Sequence, residues 1–170
     1  LASSYFRQRV YSLTEDEIYE VITDFAYAAQ RARRAGFDGV QLQAGHGDLL
    51  HQFLSSYTNT RTDSFEDTGL MLELVMDAVR EACGPDFPIL LKVSGAEDLS
   101  LTPEQIIPVV ERIQEELDAV EVSYGTMDSP LNIVRGNIPL EAICEINPLF
   151  TSVPGQLVRL WKRFRFPFIR

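Results

Sequence analysis

The chain has 170 residues, 45 % hydrophobic and 24 % charged, which suits one globular domain able to bury a sizeable core. Its formal net charge of −10 argues against nucleic acid as a partner, because phosphate neutralisation needs a basic face. No apolar run of about 18 residues occurs, so no transmembrane helix is expected, and Cys83 and Cys144 stand in no metal or redox spacing. The charge is uneven: residues 1–145 carry all 25 acids and a net −15, while 146–170 carry no acid and +5. Without a secretory leader pattern, a reducing, cytoplasmic location is expected. The chain opens at Leu1 rather than Met, as a piece or a processed product of a longer chain would.

The spacing predicts a helix over about 14–35. Thr14 and Glu17 have capping-box spacing, and Ile18, Val21, Ile22, Phe25, Ala28, Ala29 and Ala32 recur as one apolar stripe. Arg31, Arg33 and Arg34 suit the negative end of the helix dipole, and Gly36 the position just past it. Residues 40–43 read as a short strand, followed by a polar loop, a short apolar helix and the turn from Asn59 to Asp63. A further helix is expected over about 66–82, with Leu70, Leu74, Val75, Ala78 and Val79 inward and Gly84-Pro85 as its stop. The run PILLKVS at 88–94 is nearly continuous in apolar residues, as a strand covered on both faces should be. Thr102-Pro103-Glu104-Gln105 is a helix start, and Ile106, Val109, Val110, Ile113 and Leu117 form its apolar face. AVEVS at 119–123 completes the pattern as a third strand.

Helix and strand thus alternate three times, which implies a parallel sheet with right-handed crossovers. Composition and period alone stop at an α/β fold with three parallel strands. Beyond residue 125, Pro130, Pro139, Pro148, Pro154 and Pro167 interrupt the chain, and 126–170 read as a loop-rich, insertion-like tail behind core βα units in 14–125. Its last segment, RLWKRFRFPFIR at 159–170, is basic and aromatic. It suits an anionic surface or acidic partner, or packing against the remainder of a larger fold.

The stretch AGFDGVQLQAGHGDLLHQFLSSYTNTRTD at 35–63 resembles the Old Yellow Enzyme family of FMN-dependent NADH:flavin oxidoreductases. Family members run close to G-F-D-G-V-E-x-H-x-A-H-G-Y-L-L-x-Q-F-L-S-P-x-x-N-x-R-x-D there. The likeness extends over about 14–165, through LLKVS at 90–94 and EVSYGT at 121–126, the latter similar to the family's V-S-G-G-T. It implies a partial TIM (β/α)8 barrel, a single incomplete domain over 1–170 that supplies barrel strands four to six; closure takes eight units and about 250 residues. It also implies FMN as cofactor, NAD(P)H as reductant and a small α,β-unsaturated carbonyl compound as substrate.

In the family, two side chains after the fourth strand hydrogen-bond the substrate carbonyl and stabilise charge that develops only in the transition state. The matching positions are Gln43 and His46. By residue type alone, Gln43 also reads as a polar strand end and His46 as a loop histidine with its bonds satisfied. Two residues on, the family's proton-donating Tyr is replaced by Asp48. An ionised carboxylate cannot donate a proton and repels a nearby oxyanion, so the resemblance implies an impaired proton step. The plainer reading of Asp48 is a solvated carboxylate capping the helix from Leu49.

Lys92 matches the basic residue that faces the flavin pyrimidine edge and stabilises the anionic reduced flavin; the alternative is a lysine reaching past its strand end. Asn59, Arg61 and Asp63 match N-x-R-x-D and read as loop-fixing hydrogen bonds. After Asp63 the chain has SFEDTGLMLE where the family has a longer Y-G-G-S-x-E-N-R-x-R loop. The family's phosphate-binding glycine and arginine positions, on its seventh and eighth strands, find no counterpart here.

Three functions are therefore weighed. One is an FMN-dependent oxidoreductase with impaired catalysis. Another is a non-catalytic, partner-binding or self-associating barrel fragment, held through unpaired sheet edges. The third is a metal site around His46-Gly47-Asp48, for which no further His or Cys lies at ligand spacing.

Overall fold

Thr14 opens the first helix, α1 (Glu15–Arg34), with both halves of a capping box: its hydroxyl accepts from the Glu17 N–H, and the Glu17 carboxylate accepts from the Thr14 N–H at 2.8 Å. The computed structural model describes residues 11–97 and 101–126. The remaining elements, in order, are β1 (Val40–Ala44), α2 (Leu49–Leu54), a 3-10 turn (Ser64–Glu66), α3 (Leu70–Cys83), β2 (Ile89–Ser94), α4 (Pro103–Ile113), a second 3-10 turn (Gln114–Glu116) and β3 (Ala119–Ser123).

The strands form a parallel sheet in the order β1-β2-β3. Leu42, Leu91 and Val120 share one register row, and Ala44, Val93 and Val122 the row two residues on. Successive side chains of a strand point to opposite faces. Leu42, Ala44, Ile89, Leu91 and Val93 therefore join one core with Ile18, Ile22 and Ala29 of α1 and with Leu72, Val75, Met76 and Val79 of α3. The opposite face carries Gln41, Gln43, Lys92, Glu121 and Ser123 by the same register.

Five expectations are corrected by this packing. Residues 88–94 are not covered on both faces; burial alternates along β2, with Leu90 and Lys92 only half-buried. The helix expected from 66 begins at Leu70, because the Asp63 carboxylate caps a 3-10 turn by accepting from Phe65 N–H. Its buried positions are Met71, Leu72, Val75, Met76, Val79 and Cys83, while Leu70, Leu74 and Ala78 are half-buried, so the inward face is rotated from the expected one. Ala28 is exposed, and Leu117 lies past the 3-10 turn rather than in α4. The tail at 127–170, including 159–170, lies outside the described residues.

Phe65 joins the site loop to the helices. It is fully buried and meets Tyr19 of α1 and Phe53 of α2 edge-on, at centroid distances of 5.9 and 6.0 Å. Around it, the turn closes as the sequence leads one to expect. The Asn59 amide donates to Phe53 O and Phe65 O, both at 2.9 Å, and Arg61 pairs with Asp63 while donating to Leu13 O at 2.7 Å. These bonds fix α2, and with it the loop from Gly45 to Asp48.

Candidate active site at the strand ends

Gln43 of β1, Lys92 of β2 and Glu121 of β3 occupy a single register row on the open face of the sheet. Lys92 Nζ lies 2.8 Å from Glu121 Oε1, and the Gln41 amide donates to Glu121 Oε2 at 3.0 Å. The Glu121 carboxyl is held below its usual range, first by the Lys92 ammonium and then by the Gln41 amide. Lys92 therefore does not reach past its strand end; its charge is delivered within the sheet and shared with a carboxylate.

His46 sits one turn of chain beyond β1, where the strands end. Its φ of 59° is in the left-handed region, which costs a non-glycine residue about 1–2 kcal/mol. Two clamps hold it there. The His46 backbone N–H donates to Ser94 Oγ at 3.0 Å, and the Ser94 hydroxyl donates in turn to Gly125 O at 3.0 Å. The ring Nε2 lies 2.8 Å from Ser123 Oγ. A parallel bridge to Thr126 completes the attachment to the chain after β3. Gly45 makes this approach possible, since a Cβ there would stand 3.3 Å from both the N and the Oγ of Ser94.

Two buried atoms of this group, Gln43 Oε1 and His46 Nδ1, have no hydrogen-bond partner among the described residues. Buried polar atoms are ordinarily satisfied, so these orphans make Gln43 and His46 candidates for contact with a ligand. Asp48 does not join the cluster. It is exposed at the N-cap position of α2 and makes no side-chain capping bond, so the expected cap exists in backbone position only.

A second buried polar group lies behind α2. Ser55 Oγ donates to Glu97 Oε1 at 2.7 Å, and His51 Nε2 is 3.5 Å from Glu97 Oε2, with both the His51 and Glu97 side chains almost wholly buried. Burial pushes the His51 imidazole below its usual range, against the opposing pull of Glu97. Among the described residues no group of three or more His, Cys, Asp or Glu stands where it could hold a metal ion. Among the same residues, no helix is long and apolar enough to cross a membrane.

Sequence reasoning named Gln43, His46 and Lys92 but missed Glu121, Ser123, Ser94 and Gln41. The signal was the two-residue alternation. Lys92 and Ser94 share a parity in LLKVS, as Glu121 and Ser123 do in AVEVS, and only register shows that these parities lie on one face.

Parallel βα units with a polar row at the carboxyl ends of their strands match a barrel-type fold, in which ligand sites are built at that end. The sequence model of the NADH:flavin oxidoreductase / NADH oxidase family matches residues 3–137, and the chain belongs to that family. It is 36 % identical over 160 residues to the NADPH dehydrogenase of Clostridium acetobutylicum, an overlap of 79 % of this chain and 47 % of that protein. Against the NADH-dependent flavin oxidoreductase of Aspergillus parasiticus it is 40 % identical over 120 residues, 66 % of this chain and 27 % of the relative. Morphinone reductase in complex with tetrahydroNAD superposes with a TM-score of 0.60 at 30 % identity, covering 68 % of this chain and 34 % of the other. A 2-naphthoyl-CoA reductase reaches a TM-score of 0.67 over 90 % of this chain and 23 % of its own, at 24 % identity, a likeness of fold alone. The chain spans about half, or less, of the length of these curated relatives. The three strands are thus part of a TIM-barrel fold of the oxidoreductase kind.

Proposed function

We propose that this chain serves FMN-dependent oxidoreduction driven by NAD(P)H, of the ene-reductase type, with a small α,β-unsaturated carbonyl compound as acceptor. The observation that carries the reading is the row of Gln43 and Lys92 with His46 beside it, where Gln43 Oε1 and His46 Nδ1 are buried without partners among the described residues. A flavin pyrimidine edge offers carbonyl acceptors and an N–H donor, and an ammonium and an amide suit that pattern. Bound FMN would supply hydride to the activated double bond. Lys92 would hold the pyrimidine edge, its charge moderated by Glu121. His46 and the Gln43 amide would donate to the substrate carbonyl and polarise it. Asp48, an exposed carboxylate at the position of the family's phenolic proton donor, would make the proton step the weak point of turnover.

The test is NAD(P)H oxidation by the purified chain with added FMN and an α,β-unsaturated ketone. Slow, saturable, protein-dependent turnover that rises in Asp48→Tyr supports the reading. Oxidation no faster with protein than without it removes it. The proposed compartment is the cytosol, in keeping with a nicotinamide-driven reaction and the buried free thiol of Cys83.

A second reading, self-association, is favoured by one feature. Among the described residues β1 and β3 each keep an unpaired edge, and Val122 of β3 is 71 % exposed. Light scattering across a concentration series decides it: growth in mass supports association, and a constant monomer mass ends it.

A further inference from the structure

We infer that Ser123 is a positioning residue that sets the tautomer of His46, its hydroxyl donating to Nε2 so that the ring proton resides on Nδ1. Ser123 Oγ and His46 Nε2 are 2.8 Å apart, and Nε2 is the one hydrogen-bond partner of that hydroxyl among the described residues. A hydroxyl carries one hydrogen and a neutral imidazole offers one acceptor nitrogen. If Nε2 accepts, the Ser123 hydrogen is satisfied and Nδ1 is the donor. If Nε2 donated instead, the Ser123 hydrogen would be left without an acceptor among the described residues, and Nδ1 would be a buried bare acceptor. The first arrangement leaves a single orphan on the ring, and a donor is what a carbonyl ligand requires.

The surrounding bonds show that the ring is held rather than merely adjacent. His46 has a φ of 59°, and its N–H is fixed by Ser94, whose own hydroxyl is spent on Gly125 O. Backbone and ring are therefore anchored separately, by Ser94 at the end of β2 and by Ser123 at the end of β3. With Nδ1 protonated, the site presents one buried donor, His46 Nδ1–H, and one buried acceptor, Gln43 Oε1, neither with a partner among the described residues. The consequence deepens the proposed function and rests on it: Ser123 chooses which nitrogen can polarise a substrate carbonyl. The tautomer itself requires neither flavin nor substrate.

The experiment is nitrogen-15 NMR of the imidazole rings in the whole 170-residue chain, at a pH above the imidazole range. His46 and His51 are the only histidines, and a His46→Gln variant assigns the signals. The wild type is expected to show His46 protonated at Nδ1. In Ser123→Ala that form should lose about three- to tenfold in population against the Nε2–H form, the equivalent of one net hydrogen bond. Ser123→Thr, which keeps the hydroxyl on a β-compatible residue, should retain it. A wild-type His46 protonated at Nε2 overturns the inference even if no variant folds, as does an unchanged tautomer in folded Ser123→Ala. Because the readout is taken without FMN, failure of flavin binding would leave this result standing, and its own failure would leave the flavin reading standing.

Discussion

Lys92 Nζ and Glu121 Oε1 stand 2.8 Å apart on neighbouring strands, paired in register across the open face of the sheet. The charge offered at the strand ends is therefore an ion pair with an amide attached. Removing the carboxylate should change how the site greets an anion. In Glu121→Gln, Lys92 loses its partner, and affinity for anionic flavin should rise a few-fold, as read by FMN fluorescence titration at low salt. Lower affinity in this variant would mean that Glu121 orients Lys92 more than it offsets its charge.

The same pair has a pH dependence. The Glu121 carboxyl is held below its usual range when folded, so its stabilising contribution is present above the ordinary carboxylate range and fades as pH falls through the depressed value. The carboxylate is half exposed, so screening keeps that contribution small.

His51 titrates in the opposite chemical sense with a similar outcome. Burial holds its imidazole below the usual value, so the unfolded chain takes up a proton near pH 6.5 that the folded chain refuses. Its contribution is full above that pH and declines as pH falls towards the depressed folded value. Thermal melts should therefore show a steeper loss of Tm between pH 7 and pH 5 in the wild type than in His51→Gln. Parallel curves for the two proteins would contradict this.

Phe65 holds the N-x-R-x-D turn against α1 and α2. Truncation to Ala empties a fully enclosed site and should lower stability by about 3–5 kcal/mol, measured by urea unfolding. A loss below about 1 kcal/mol would mean that the turn collapses onto the gap and that Phe65 is not its anchor.

Ser94 joins three strand ends through one hydroxyl. Ser94→Ala removes the acceptor of the His46 N–H and the donor to Gly125 O, leaving both groups without those bonds. A loss of about 1–3 kcal/mol is expected in urea unfolding, with His46 ring signals broadened in NMR. Sharp, unshifted His46 signals would show that the backbone clamp is dispensable.

Much of the fold was legible because local chemistry and tertiary packing agree. Thr14 and Glu17 cap α1 as their spacing predicts, Gly36 adopts φ 87° just past its end, and the alternating elements give the parallel sheet. α3 starts at Leu70, four residues later than expected, because the Asp63 carboxylate caps a 3-10 turn at Phe65 N–H instead of letting a helix begin at Glu66. The site was half legible. Gln43, His46 and Lys92 stand out as polar residues in apolar runs or at strand ends. Glu121 looked like an ordinary strand charge until register placed it against Lys92, and Ser123 gains meaning only from the 77-residue separation that the fold closes to 2.8 Å. Single-residue chemistry is local; pairing between distant strands is not.

The central claim is that the Gln43–Lys92 row receives flavin. Titration of the purified chain with FMN, followed by quenching of flavin fluorescence, tests it most directly when run beside Lys92→Met. The account predicts saturable binding in the micromolar range or tighter, weakened about tenfold or more in the variant by loss of a charge-assisted contact. No saturation at high micromolar FMN, or equal affinity in the two proteins, would contradict it.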